Sequence, residues 1–266
     1  MKKIFFALAF SSLLIACKKE NSNPNSPVTK TPTTVEDTTK KTADSVSCVD
    51  NPKINFTCVG APVGKLSYCI KDIDGNVYKT VVIGKQQWMA ENLKVSKYND
   101  GTVIPNVKDS LDWNKAELPY LSDYVNNTQN ENYKVYNWYV VDSKANSGKN
   151  VCPNGWHVPS LEEWSVLIEF LGGEGLAGAK MKEVGMNHWL STNKQTDNSS
   201  LFTALPSVYK DSYNLFSPSG FNSNWWTIDT FSGNYVNSIS LNLYSDKVIK
   251  DLYLKNNGLS IRCIKD

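Results

Sequence analysis

The stretch Cys152-Pro153-Asn154-Gly155-Trp156-His157-Val158-Pro159-Ser160-Leu161-Glu162-Glu163-Trp164 carries the clearest helix start in the chain. Ser160 and Glu163 have the S-x-x-E spacing of a capping box, in which a hydroxyl and a carboxylate satisfy orphan amides of the first turn. Leu161, Trp164, Leu167, Ile168 and Leu171 then recur at helical spacing, and Gly172-Gly173 stops the pattern. Such a stripe of Trp and Leu predicts core packing rather than a ligand box. A weaker pattern predicts a second helix over 176–183.

Outside these helices the chain reads as short strands. Asp74-Gly75-Asn76 is a turn signal between apolar residues, and 79–83 is a β-branched run that Gly84-Lys85 turns toward Gln87-Trp88-Met89. Asp72-x-Asp74-x-Asn76 has some likeness to a calcium loop. Its glycine falls at the fourth position instead of the sixth, and Ile83 stands where a closing Glu belongs, so a hairpin is preferred. Strands are predicted again over 201–205, 225–228, 236–243, 247–254 and 259–264. The fold class is therefore α+β, with a mostly antiparallel sheet of short strands and one or two helices. Adjacent strand residues face opposite ways, so at least one of Trp225 and Trp226 belongs to the core.

The 266 residues are 41% hydrophobic and 20% charged. Lys plus Arg is 28 and Asp plus Glu is 26, giving a net charge of +2, which argues against a nucleic-acid partner. The two histidines, His157 and His188, leave little for a histidine-based metal site, and no metal or cofactor is expected. His157, between Trp156 and Val158, is read as a hydrogen-bonded packing residue. His188 has no evident carboxylate or Cys partner nearby in sequence. No G-x-S-x-G, P-loop, H-E-x-x-H or C-x-x-C pattern occurs.

The N-terminus predicts export. Lys2 and Lys3 precede the 13-residue run Ile4 to Ala16 of apolar and small residues, too short to cross a bilayer core of about 30 Å. The run ends in Leu14-Ile15-Ala16-Cys17, which resembles a bacterial lipobox. That resemblance makes 1–16 a signal peptide and Cys17 the lipid attachment point, with the membrane as a partner. In 18–47, Thr, Ser, Pro and Asn fill 17 of 30 positions, so residues 17–47 are read as a lipidated Cys and a disordered tether spanning about 30 Å. Asp37-Thr38-Thr39, Asp44-Ser45-Val46 and Asp109-Ser110-Leu111 resemble the O-glycosylation pattern of Bacteroidetes secreted proteins. Residues 48–69 form a Cys-containing extension ahead of the main domain.

Several ordered stretches then resemble one family. They are 72–78, 82–93, Val135-Tyr136-Asn137-Trp138, 152–160 with Glu163-Trp164, Phe202-Thr203-Ala204-Leu205-Pro206, Trp225-Trp226-Thr227 and Gly258-Leu259-Ser260-Ile261-Arg262-Cys263. Together they resemble the Fibrobacter succinogenes major paralogous domain over 70–266. The resemblance implies a C-type-lectin-like fold and no established activity. Residues 158–164 are also similar to a motif of the formylglycine-generating enzyme family. Only Cys263 lies beyond Cys152, however, so that family's cysteine pair is missing and the similarity bears on fold alone. The calcium-dependent sugar triplets of C-type lectins are absent as well.

By comparison with C-type-lectin-like domains, Cys152 and Cys263 are expected to pair. Of Cys48, Cys58 and Cys69, two are expected to pair and one to remain, with Cys58–Cys69 preferred because it closes a short hairpin-like loop. Tyr209, Trp225 and Trp226 are candidate stacking residues for a sugar. Residues 124–132 and 191–200 are read as polar contact loops. The functional expectation is a lipid-anchored binding or display module of the cell envelope, outer-membrane and surface-facing, with a protein or glycan ligand. A polysaccharide-active enzyme and a structural envelope component are the alternatives.

Overall fold

The computed structural model describes residues 47–49, 57–59, 69–107, 112–113, 117–126, 131–191 and 195–266. The expected signal peptide, Cys17 and the tether lie outside these residues. All that is described falls within the unit 43–266. Strands β1 (Ser47–Val49) and β2 (Thr57–Val59) pair antiparallel and set Cys48 opposite Cys58 along the backbone. The expected Cys58–Cys69 bond lies outside the described side chains, although Cys69 is itself disulfide-bonded.

Strands β3 (Cys69–Lys71) and β4 (Val77–Ile83) form a hairpin around Gly75, whose φ of +88° suits glycine. Asp72 accepts hydrogen bonds from the Asn76 amide at 2.9 Å, Asn76 Nδ2 at 2.8 Å and the Tyr78 hydroxyl at 2.6 Å. Asp74 accepts from Ser96 N and Oγ, both at 2.6 Å, and pairs with Lys97 at 3.1 Å. Protein donors occupy both carboxylates, which makes this segment a turn and not a cation loop.

The β4 strand continues into β5 (Gln86–Met89). Then come β6 (Leu121–Asn126), β7 (Glu131–Asn137), β8 (Trp156–His157), helices α1 (Leu161–Phe170) and α2 (Glu174–Met181), and β9 (Asn222–Ser232), β10 (Tyr235–Asn242), β11 (Ser245–Leu254), β12 (Gly258–Leu259) and β13 (Ile264–Lys265). The sheets run β3-β4-β5-β13-β8, β12-β7-β6 and β11-β10-β9. Among the described residues every pairing of these strands is antiparallel, so the protein is α+β and rich in strand.

Helix α1 starts on the capping box: Ser160 Oγ accepts from Glu163 N at 3.2 Å, and Glu163 accepts from Ser160 N at 2.8 Å. Trp164, Leu167 and Ile168 are buried. Helix α2 begins two residues before the expected start, because Gly173, at φ +86°, serves as its N-cap. At Gly178 a Cβ would come within 2.3 Å of the Asp246 carbonyl oxygen, so only glycine lets α2 approach β11 this closely.

Two expected strands differ. Residues 201–205 form no strand, since Leu201 and Thr203 have φ of +58° and +53° and only Ala204 makes a bridge, to Lys182. The 259–264 run splits into the end of β12 and the start of β13, because the chain crosses there from one sheet to another. The two ends of the expected loop 124–132 belong to β6 and β7, with Tyr124 opposite Tyr133.

Two apolar layers lie on either side of β9. Ile239, the partner of Trp225, shares one layer with Trp88, Trp164, Leu167, Trp189 and Phe202. Trp226 belongs to the other, with Tyr78, Tyr136, Trp138, Trp156 and Ile261. The disulfide Cys152–Cys263 is buried in this second layer and joins residues 111 apart. Replacing both cysteines by Ser is expected to destabilise the protein by about 4–5 kcal/mol through the loosened unfolded chain. Chemical denaturation of the variant beside the oxidised protein measures this, and an unchanged midpoint would contradict it.

Candidate functional site

Arg262 lies between β12 and β13, and Asn92 follows β5. Their segments are joined by backbone bonds: Leu93 N donates to Ile261 O at 2.8 Å, and Met89 N donates to Cys263 O at 3.0 Å. Asn92 Oδ1 thereby meets three donors: Trp225 Nε1 at 2.8 Å, Arg262 Nη2 at 2.8 Å and Arg262 Nε at 3.1 Å. Arg262 Nη1 donates to Phe202 O at 2.6 Å. The guanidinium carbon sits 4.2 Å from the Phe202 ring centroid and 5.4 Å from that of Trp225, which adds cation–π attraction. Burial pulls the Arg262 pKa down to about 9, against the opposing charge of Glu91, so the group remains cationic at neutral pH.

Asn92 and Arg262 form the inner wall of a groove of ≈ 450 Å³. Glu91, Asn92, Leu93 and Lys94 line one side, Asn132, Tyr133 and Lys134 of β7 another, and Leu205, Pro206 and Ser260 complete it. Lys134 pairs with Asp123 at 2.5 Å, and Asn106 Nδ2 donates to the same carboxylate at 2.5 Å. The volume suits a small ligand, and the lining mixes apolar surface with a few polar groups. Among the described residues Glu91 is the carboxylate of the lining. Two smaller hollows, of ≈ 260 Å³ and ≈ 330 Å³, lie beside Asp72 and beside Glu117 with Asp142.

The residues proposed for stacking are not brought together. Trp225 and Trp226 are both fully buried, on opposite faces of β9, and neither offers a ring to a ligand. The reason is the number of layers: both faces of the strand are covered. Tyr209 is half-buried and packs edge-on against Tyr253, with centroids 5.7 Å apart.

The histidines are both paired. His157 lies between Asp266, at 2.7 Å from Nδ1, and Glu163, at 2.8 Å from Nε2. It clasps the capping box of α1 to the residue that follows β13. Partial burial lowers the His157 pKa, but the hydrogen bonds and charges of Asp266 and Glu163 outweigh it and hold it above the ordinary value. Burial likewise raises the Glu163 pKa, yet the bonds from Ser160 and His157 bring it below the usual value. His188 does have a carboxylate partner, Glu183 at 2.7 Å from Nδ1, because the intervening turn folds back over five residues.

Two lysines that the sequence did not single out are also buried. Lys182 donates to Ser245 O at 2.8 Å and pairs with Asp246 at 3.2 Å. Lys210 donates to Ser122 Oγ at 3.0 Å and lies 4.1 Å from the Trp113 ring centroid, and burial lowers its pKa to about 8. Nothing in the spacing around them signals burial. Among the described residues no three His, Cys, Asp or Glu are grouped to hold a metal ion.

Two outcomes follow. Asn92→Ala removes the acceptor of a buried guanidinium and a buried indole, and should cost about 3 kcal/mol or more, whereas Asn92→Asp keeps the acceptor and should cost far less. Denaturation midpoints of the two variants check this. His157 is raised above its unfolded pKa of about 6.5, so its stabilisation is complete below that pH and is lost as pH rises through the folded value. Urea midpoints should therefore fall over that window in the native protein, and His157→Gln should remove that fall; an identical pH profile in the variant would contradict the clasp.

The Fibrobacter succinogenes major domain family matches residues 81–265, a span that holds Asn92, both cysteines of the core disulfide, the capping box of α1, Trp225 and Arg262. No match is found among curated proteins or among solved structures. A match over more than half its length places the chain, with this knot of asparagine, tryptophan and arginine inside it, in the Fibrobacter succinogenes major domain family.

Proposed function

We propose that the chain is a lipid-anchored envelope protein that binds an extracytoplasmic ligand in the groove beside Arg262. The frame is C-type-lectin-like in this reading, and the tether 17–47 holds it off an outer membrane, facing outward. The observation that carries the proposal is the groove itself. Its inner wall is fixed by Asn92, Trp225 and Arg262, so the cavity is preformed by the same contacts that hold the core. A preformed wall lowers the ordering cost of binding. The apolar run ending at Cys17 supports the anchor.

The arrangement favours binding over glycoside hydrolysis. Hydrolysis by the usual route needs two carboxyl groups about 5–10 Å apart and free to act; among the described residues the lining holds Glu91, and the nearby Asp123 is engaged by Lys134 and Asn106.

In cells fed a labelled fatty acid, the wild-type chain should take up label and sediment with membranes, and Cys17→Ser should do neither. Protease treatment of intact cells should remove the wild-type domain. Ligand capture on a glycan array should weaken in Lys94→Glu, whose side chain is exposed on the rim. Turnover of a polysaccharide by the purified chain, abolished by Glu91→Gln, would overturn the binding reading in favour of an enzyme.

A further inference from the structure

Arg262 is 1% exposed yet lines the groove. A guanidinium has five N–H bonds. Nε and Nη2 each place one on Asn92 Oδ1, and Nη1 places one on Phe202 O. Among the described residues one N–H on each Nη is left over. Among the described residues no carboxylate lies within salt-bridge distance of Arg262, although a buried cation ordinarily requires a direct anionic partner. The Asn92 carbonyl and the two aromatic faces compensate in part.

The charges around it limit what completes the site. The charge of Lys134 is answered by Asp123. Lys94 is exposed on the rim, and Glu91 is half-buried on the same wall. Arg262, Lys94 and Glu91 together leave one net positive charge, which suits a single carboxylate better than a phosphate dianion or a run of acids. Tyr133 and Leu205 are half-buried and give the groove an apolar side, while Glu91 supplies an acceptor for hydroxyls.

We infer that the groove takes an acidic sugar, with its carboxylate on the spare N–H bonds of Arg262 and on Lys94, its hydroxyls toward Glu91 and its C–H face against Tyr133 and Leu205. This rests on the binding-groove reading and adds the chemical class of the ligand. Arg262 is suited to the task because its planar fork matches a carboxylate.

The test uses the isotope-labelled full chain and follows amide signals of 91–94 and 132–134 as D-glucuronate, D-glucose or an aspartate-containing tripeptide is added. Glucuronate should move these signals saturably and bind about tenfold tighter than glucose. Lys94→Glu should weaken glucuronate several-fold with the rest of the spectrum unchanged, and Glu91→Gln, which keeps an acceptor oxygen for the hydroxyls but removes the charge opposing the carboxylate, should tighten it. Arg262→Lys should lose the preference for glucuronate; should that variant not fold, the Lys94 and Glu91 pair decides alone. Equal affinity for glucose and glucuronate would overturn the carboxylate inference and leave the groove as a neutral-sugar site. Tighter binding of the tripeptide would overturn the sugar. If none of the three moves the groove signals while an array ligand does, the acidic-sugar inference falls and the binding groove stands. If no array ligand moves them either, both fall.

Discussion

Strand β9 is walled by apolar side chains on both faces, and much of the architecture follows from that. Trp225 and Trp226 point into different layers, each fully buried. Burial removes each indole N–H from water, and an unpaired one costs about 1–3 kcal/mol. The acceptors come from far along the chain. Trp225 donates to Asn92 and Trp226 to the Tyr136 carbonyl, 133 and 90 residues away. Trp138 returns the bond to β9 through the Thr227 carbonyl at 2.9 Å. The hydrophobic effect brings these segments together without direction, and the indole bonds then fix their register. Trp164 is an exception: among the described residues its N–H has no acceptor, and its ring packs against those of Trp88, Phe202 and Trp225.

What the sequence made legible was local. The Ser160–Glu163 capping box, the apolar stripe of α1 and the Asp72–Asn76 turn each depend on residues within a few positions, and each lies where the spacing predicts. The family resemblance added the Cys152–Cys263 pair, which spacing alone could not assign. Contacts across the chain stayed out of reach. Period-two alternation says that Trp225 and Trp226 face opposite ways, but the number of layers decides whether both faces are covered. Asn92 and Arg262 are 170 residues apart, and His157 meets Asp266 across 109. No periodicity encodes such pairs. The breaks at Leu201 and Thr203 escaped for another reason, since left-handed backbone at non-glycine residues follows from tertiary context.

The buried cations show three ways to meet the cost of desolvation. Lys182 has a direct carboxylate and two carbonyl oxygens. Lys210 has a hydroxyl, a carbonyl oxygen and aromatic faces, and burial holds its pKa at about 8. Arg262 has one carbonyl oxygen on each side and two rings, yet keeps its charge because a guanidinium starts from a much higher pKa. Of the three, only Arg262 also lines the groove.

The place of the groove is then a consequence of the core. Asn92 must stand beside β9 to accept from Trp225, and that position draws the 90–93 segment against the chain leaving β12. Arg262 follows β12 closely, so its guanidinium reaches the same carbonyl from the other side. The space between this junction and β7 is what remains open. A wall built this way cannot shift without unpairing an indole or a guanidinium, so the cavity inherits the rigidity of the core. The inner wall also keeps its charge near neutral pH, because burial brings the Arg262 pKa down only to about 9. A pH change through the histidine range therefore alters the clasp on α1 while the inner wall of the groove keeps its charge.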